Sequence, residues 1–147
     1  MMPIIKKLSE PRNLLWIGIC YTLCITAIFF TPASEIPKLD ILFFDKIAHV
    51  AIHGLLCFVW LWYGFRYDKN HISSRIVFVV LIACFCYGVV IEAFQHWFTL
   101  TRTFDLFDVV ANGVGSLLGL FVFWKLQNRI SIMPKQSTNG NQKEPEL

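Results

Sequence analysis

Charge is scarce in this chain. Asp, Glu, Lys and Arg make up 16% of its 147 residues, against roughly a quarter in soluble domains. That is too little to clothe an ordinary water-soluble surface. The net charge is only +3 and the basic residues are scattered, so nucleic acid is not an expected partner. No CxxC pair occurs, and Cys20, Cys24, Cys57, Cys84 and Cys86 all fall inside apolar runs. Cysteine there acts as a small apolar residue, which excludes a disulfide framework and a zinc ribbon. There is also no P-loop, no G-x-G-x-x-G fingerprint, no H-E-x-x-H and no Ser-His-Asp spacing, so the motif-borne nucleotide, protease and hydrolase sites are missing. Neither a cofactor nor a metal is expected on these grounds.

What the chain has instead is apolar length. It is 56% hydrophobic, with 14 Phe and 5 Trp and a mean hydropathy of +0.57. A helix crossing the hydrocarbon core needs about 17–25 residues. Four runs meet this requirement, at about 14–31, 47–65, 76–98 and 106–125. Every backbone amide in lipid must be paired within its own segment, so these runs predict an all-α integral membrane bundle of four helices, with the lipid bilayer as its surroundings. Aromatic residues gather near the ends, among them Trp16, Phe43, Phe44, Trp62, Tyr63, Trp97, Phe98 and Trp124, as an interfacial belt requires.

Basic residues set the orientation. Ten lie in the N-terminal segment, the second connection and the C-terminal tail; Lys38, Lys46 and Arg102 lie on the other side. The positive-inside rule then predicts that both termini are cytoplasmic and that the first and third connections face outward. The expected organisation is a short cytoplasmic segment over 1–13, a membrane domain over 14–128 and a polar, disordered cytoplasmic tail over 129–147, in a bacterial plasma (inner) membrane. A rival possibility is a signal peptide cut after Ala33, but the first apolar run is longer than a typical h-region.

Within this apolar frame the polar residues are concentrated. Asp45, His49 and His53 step by four along the second helix, after Lys46 at its outer end. Glu92, Gln95 and His96 share one face of the third helix. Asp105, Asp108 and Asn112 follow at i, i+3, i+7 on the fourth, with Arg102 in the turn before it. Plainer roles exist for several of them. Asp105 and Asp108 fit an N-cap and an acidic first turn, and Asp45 fits a cap. His53 fits an interhelical hydrogen-bonder, while Gly115 and Gly119 form a GxxxG element suited to close helix packing. Glu92 is harder to explain by structure alone, since a carboxylate two turns into a membrane helix costs several kcal/mol unless paired, hydrated or neutralised.

Three segments carry a resemblance: "DKIAHVAIHGLLCF", "GVVIEAFQHWF" and "RTFDLFDVVANGVGSLLG". In order and spacing they resemble the VanZ-like membrane proteins, whose pattern matches Asp45, Lys46 and His49, then Glu92 and Gln95, then Arg102, Asp105, Asp108, Asn112 and Gly115. The resemblance implies a small multi-helix membrane protein, in a family named for an accessory to teicoplanin (glycopeptide) resistance. It implies no reaction mechanism.

The expected function is binding or handling of an envelope lipid or glycopeptide-related ligand at an outward-facing pocket among helices two, three and four, without catalysis. Lys46, His49 and Arg102 would meet an anionic or isoprenoid-phosphate group, oriented by Glu92, Asp105 and Asp108. Two alternatives stand beside it. One is an intramembrane metal-assisted hydrolase of a lipid-linked substrate. The other is an assembly protein that docks a membrane partner or a second copy through its GxxxG face.

Overall fold

The computed structural model describes residues 9–30, 44–98 and 104–132, the last three of these by backbone alone. These residues form four helices: α1 (Pro11–Phe29), α2 (Phe44–Tyr67), α3 (Ser74–Phe98) and α4 (Leu106–Ile132). All four are long and apolar enough to span a membrane, as their hydropathy predicts. Arg102, the possible cut after Ala33 and the tail from residue 133 lie outside the described residues.

Local chemistry sets the helix ends. Pro11 occupies the first turn of α1, where its fixed φ suits the helix and its missing N–H is not needed. Helix α2 closes through Lys69 and Asn70, both at positive φ, with the Asn70 amide donating to the Phe65 carbonyl at 2.9 Å. Asparagine is among the side chains that tolerate this left-handed backbone best. Arg66 then holds the turn, donating to the Asn70 side chain at 2.6 Å and to the Ser9 carbonyl at 2.9 Å. The Ser73 hydroxyl caps α3 by accepting from the Ile76 amide at 3.3 Å. Helix α4 continues to Ile132, so residues 129–132, expected in the tail, are helical. Lys125 marks an interface by its charge, but an α-helix has no need to stop where the lipid does.

Helix α2 is central. It touches each of the other three, whereas α1 and α4 do not meet among the described residues. Its closest neighbour is α4, and glycine makes that approach possible. A Cβ on Gly115 would overlap the Val50 carbonyl oxygen, and one on Gly119 would overlap that of Gly54. The GxxxG face is therefore taken up inside the chain. Tyr21 of α1 donates to the Ile52 carbonyl at 3.0 Å, and Thr26 shares a 2.8 Å hydrogen bond with Tyr87 of α3. A core of Ile25, Phe29, Leu56, Cys57, Leu61, Phe65, Cys84, Ile91, Leu120 and Phe123 fills the interior. The periphery is apolar as well, with Leu23, Phe78, Val79, Leu117 and Phe121 well exposed. That inverted pattern, apolar outside and polar inside, suits lipid as the surrounding solvent.

Candidate functional site

At one end of the bundle, α2 begins, α3 ends and α4 begins, which brings three sets of polar residues together. Asp105 is the N-cap of α4: its Oδ1 accepts from the Phe107 amide at 2.8 Å. The same carboxylate accepts, through Oδ2, a hydrogen bond from Lys46 of α2. Lys46 also donates to Asp108 Oδ1 and lies 3.6 Å from Asp45. Capping and pairing are thus both real, and they share one residue. The bond from Lys46, with help from the Phe107 amide, holds the Asp105 carboxyl below the usual aspartate range.

Beneath this ion cluster the site becomes buried. His49, 2% exposed, places Nδ1 3.0 Å from the Asn112 side-chain oxygen. That oxygen only accepts, so Nδ1 donates to it. Nε2 faces Asp45 Oδ1 at 3.9 Å and Asp108 Oδ2 at 4.0 Å, both beyond hydrogen-bond range. Glu92, 3% exposed, accepts the Asp105 amide at 3.1 Å through Oε1 and has no partner for Oε2 among the described residues. His53 is fully buried, and among the described residues neither of its ring nitrogens nor Asn112 Nδ2 is hydrogen-bonded.

Of the residues expected at the site, Asp45, Lys46, His49, Glu92, Asp105, Asp108 and Asn112 come together. Gln95 turns aside: its amide donates to the Phe29 carbonyl at 2.9 Å, satisfying the C-terminal end of α1. His96 stays exposed, and its Nδ1 accepts from the Phe104 amide at 3.3 Å, bracing the turn into α4. One residue along a helix is about 100° of rotation, enough to take His96 off the buried face that Gln95 occupies.

His53, the innermost residue of the α2 stripe, completes the buried floor. The enclosure also uses residues outside the stripes. Phe29 of α1 covers both histidines, with ring centroids at 5.1 Å from His49 and 6.0 Å from His53, so all four helices contribute. Gly88 leaves the room they need, because a Cβ there would meet Asn112 Nδ2 at 2.9 Å and His53 Nε2 at 3.1 Å. A glycine one turn before Glu92 is the only trace of this in the sequence.

Tyr87 connects the floor to a second feature. Its ring lies 5.9 Å from that of His53, and it lines a cleft of about 350 Å³ with Thr22, Leu56, Trp60, Val80 and Ala83. The cleft is almost wholly apolar and opens at the surface beside the exposed Val79. As for metals, Asp45, His49 and Asp108 each offer one donor atom, and the three lie within 4.8 Å of one another.

A family model described as VanZ/LLP1 matches residues 4–128. An uncharacterized protein of Schizosaccharomyces pombe (strain 972) is 29% identical over 122 residues, covering 83% of this chain and 69% of the relative. No solved structure matches.

Proposed function

The chain belongs to the VanZ/LLP1 family, and on that footing we propose that it binds a membrane lipid, holding the headgroup at the polar end and an acyl chain in the apolar cleft. The observation that carries this is the junction at Tyr87, where buried polar groups without partners among the described residues adjoin an open apolar cleft. Each unsatisfied buried polar group costs about 1–3 kcal/mol. Glu92 Oε2, Asn112 Nδ2 and the His53 ring nitrogens are three such places close together; a headgroup hydroxyl would donate to Glu92 Oε2, and a phosphate or hydroxyl oxygen would accept from Asn112 Nδ2. The mouth is formed by the more accessible Asp45, Lys46 and Asp105. The excess of basic residues at the other end of the bundle favours an outward-facing mouth, and in a bacterial plasma membrane that would present the site to envelope lipids. A glycopeptide-related ligand, which the family name suggests, would enter by the same mouth.

The test is native mass spectrometry with lipid analysis of the gently purified full chain beside Ala83→Phe, which fills the cleft, and Glu92→Gln. One lipid class retained near one per chain by the parent protein, and depleted in both variants, is the expected result. Equal lipid content in three equally folded proteins would overturn the proposal.

A further inference from the structure

Lys46 looks at first like the cation for an anionic headgroup, but Asp105 and Asp108 already neutralise it. Around it three carboxylates, those of Asp45, Asp105 and Asp108, face one ammonium among the described residues. Such an excess of negative charge is expensive in a medium of low dielectric constant. Beside it, the buried Nε2 of His49 lies 3.9 Å from an Asp45 oxygen and 4.0 Å from an Asp108 oxygen, too far to bond either directly. Those three atoms enclose a space that a small cation would bridge.

We propose that Asp45, His49 and Asp108 form a binding site for one divalent metal ion such as zinc or manganese. A cation equidistant from three atoms 3.9–4.8 Å apart sits roughly 2.3–2.8 Å from each. An inward shift of about half an ångström gives bonds of ~2.0–2.2 Å, the usual zinc–nitrogen and zinc–oxygen lengths. Two carboxylates with one imidazole suit zinc or manganese better than calcium.

The surroundings fit the same role. Metal-binding histidines commonly donate their other ring N–H to an oxygen that fixes the tautomer, and Asn112 does this for His49. Asp108 divides its two oxygens, Oδ1 toward Lys46 and Oδ2 toward the site. His49 supplies the independent indication: it is 2% exposed, and its Nε2 is turned between the two carboxylates at 3.9 and 4.0 Å. The ion would supply the positive charge that Lys46 does not, so the ligand class sharpens to headgroups with phosphate or carboxylate oxygens. That last step rests on the lipid-binding proposal above; the ion site itself does not.

The experiment is isothermal titration of ZnCl₂, and separately MnCl₂, into the chelator-stripped full chain in detergent. One site per chain is expected for at least one of the two ions. Asp45→Asn, at an exposed position whose replacement should spare the fold, is expected to weaken binding about tenfold or more. Asn112→Leu should weaken it about 10–100-fold by releasing the histidine, while Asn112→Asp, which keeps an acceptor, should bind. His71→Ala serves as control, because His71 and Asp68 form a 3.5 Å pair on the exposed turn after α2. Failure of both ions to bind the parent protein, binding unchanged in Asp45→Asn, or binding lost in His71→Ala overturns the site. Lipid content measured on the same samples separates the two proposals. Lipid lost in Ala83→Phe without any metal binding sinks only the ion site, and metal binding with unchanged lipid sinks only the lipid reading.

Discussion

Asp105 serves two purposes at once, as cap of α4 and as acceptor for Lys46, and its acidity carries a consequence. Its carboxyl titrates below the ordinary aspartate value, about 3.9. The stability it contributes is therefore complete above that value and is lost as pH falls through the lower folded one. Thermal unfolding between about pH 6 and pH 3 should show part of its acid sensitivity removed by Asp105→Asn, together with a lower Tm at neutral pH. An unchanged acid limb would mean that the Lys46 bond is not maintained in the membrane. Gly88 makes the other residue-scale prediction. Gly88→Ala puts a methyl group 2.9 Å from Asn112 Nδ2, so Asn112 and His53 must shift. Metal and lipid retention should both fall in a protein whose helix content is unchanged by circular dichroism. Of these groups, Glu92 was legible in the sequence because a carboxylate among apolar neighbours demands an account. Gly88 was not, since its value lies in space reserved for side chains of two other helices.

Between helices, the α2–α4 contact should dominate stability. Gly115→Ala and Gly119→Ala each drive a methyl group into backbone carbonyl oxygen, and backbone yields less readily than a side chain. Overpacking of this kind costs about 1–3 kcal/mol, readable as a lower unfolding temperature in detergent. Gly113→Ala is the contrast on the same helix. Its Cβ would lie 3.8 Å from Phe85, an ordinary contact, and helix propensity favours Ala by up to about 1 kcal/mol, so neutral or raised stability is expected. If all three behave alike, propensity rather than close approach governs the helix. The same glycines bear on assembly. With the GxxxG face closed against α2, substitution there should act through folding rather than through loss of a docked partner. Element positions were legible because hydropathy and length are properties of each segment alone. The ends were less so: polar residues such as Gln127 and Arg129 mark the edge of lipid, while the α4 helix continues past them.

For the whole molecule, the distribution of basic residues predicts both termini on the cytoplasmic side and the polar mouth on the opposite one. Fusion of a reporter active only in the cytoplasm to the C-terminus should give signal, and the same reporter placed in the first connection should give none. The reverse pattern would put the site's mouth in the cytoplasm and its ligand among inner-leaflet lipids. Either way the bundle keeps its site at one bilayer surface, because α2 and α4 both enter there and α3 leaves there.

Sequence by itself determined the class of this protein. Four apolar runs in a chain poor in charge can pair their backbone groups in lipid only as helices, whatever their neighbours. It also determined that polar stripes on three of those helices lie at a common depth. Only the tertiary structure decided how the stripes are used. Lys46 is committed to two aspartates, His49 turns Nε2 toward Asp45 and Asp108, Gln95 serves α1, and Phe29 closes the site from a helix that carries none of the stripes. The reason is geometric: a helical pattern fixes which residues share a face, but which faces meet depends on how closely backbones approach, and here Gly54, Gly115 and Gly119 set that distance.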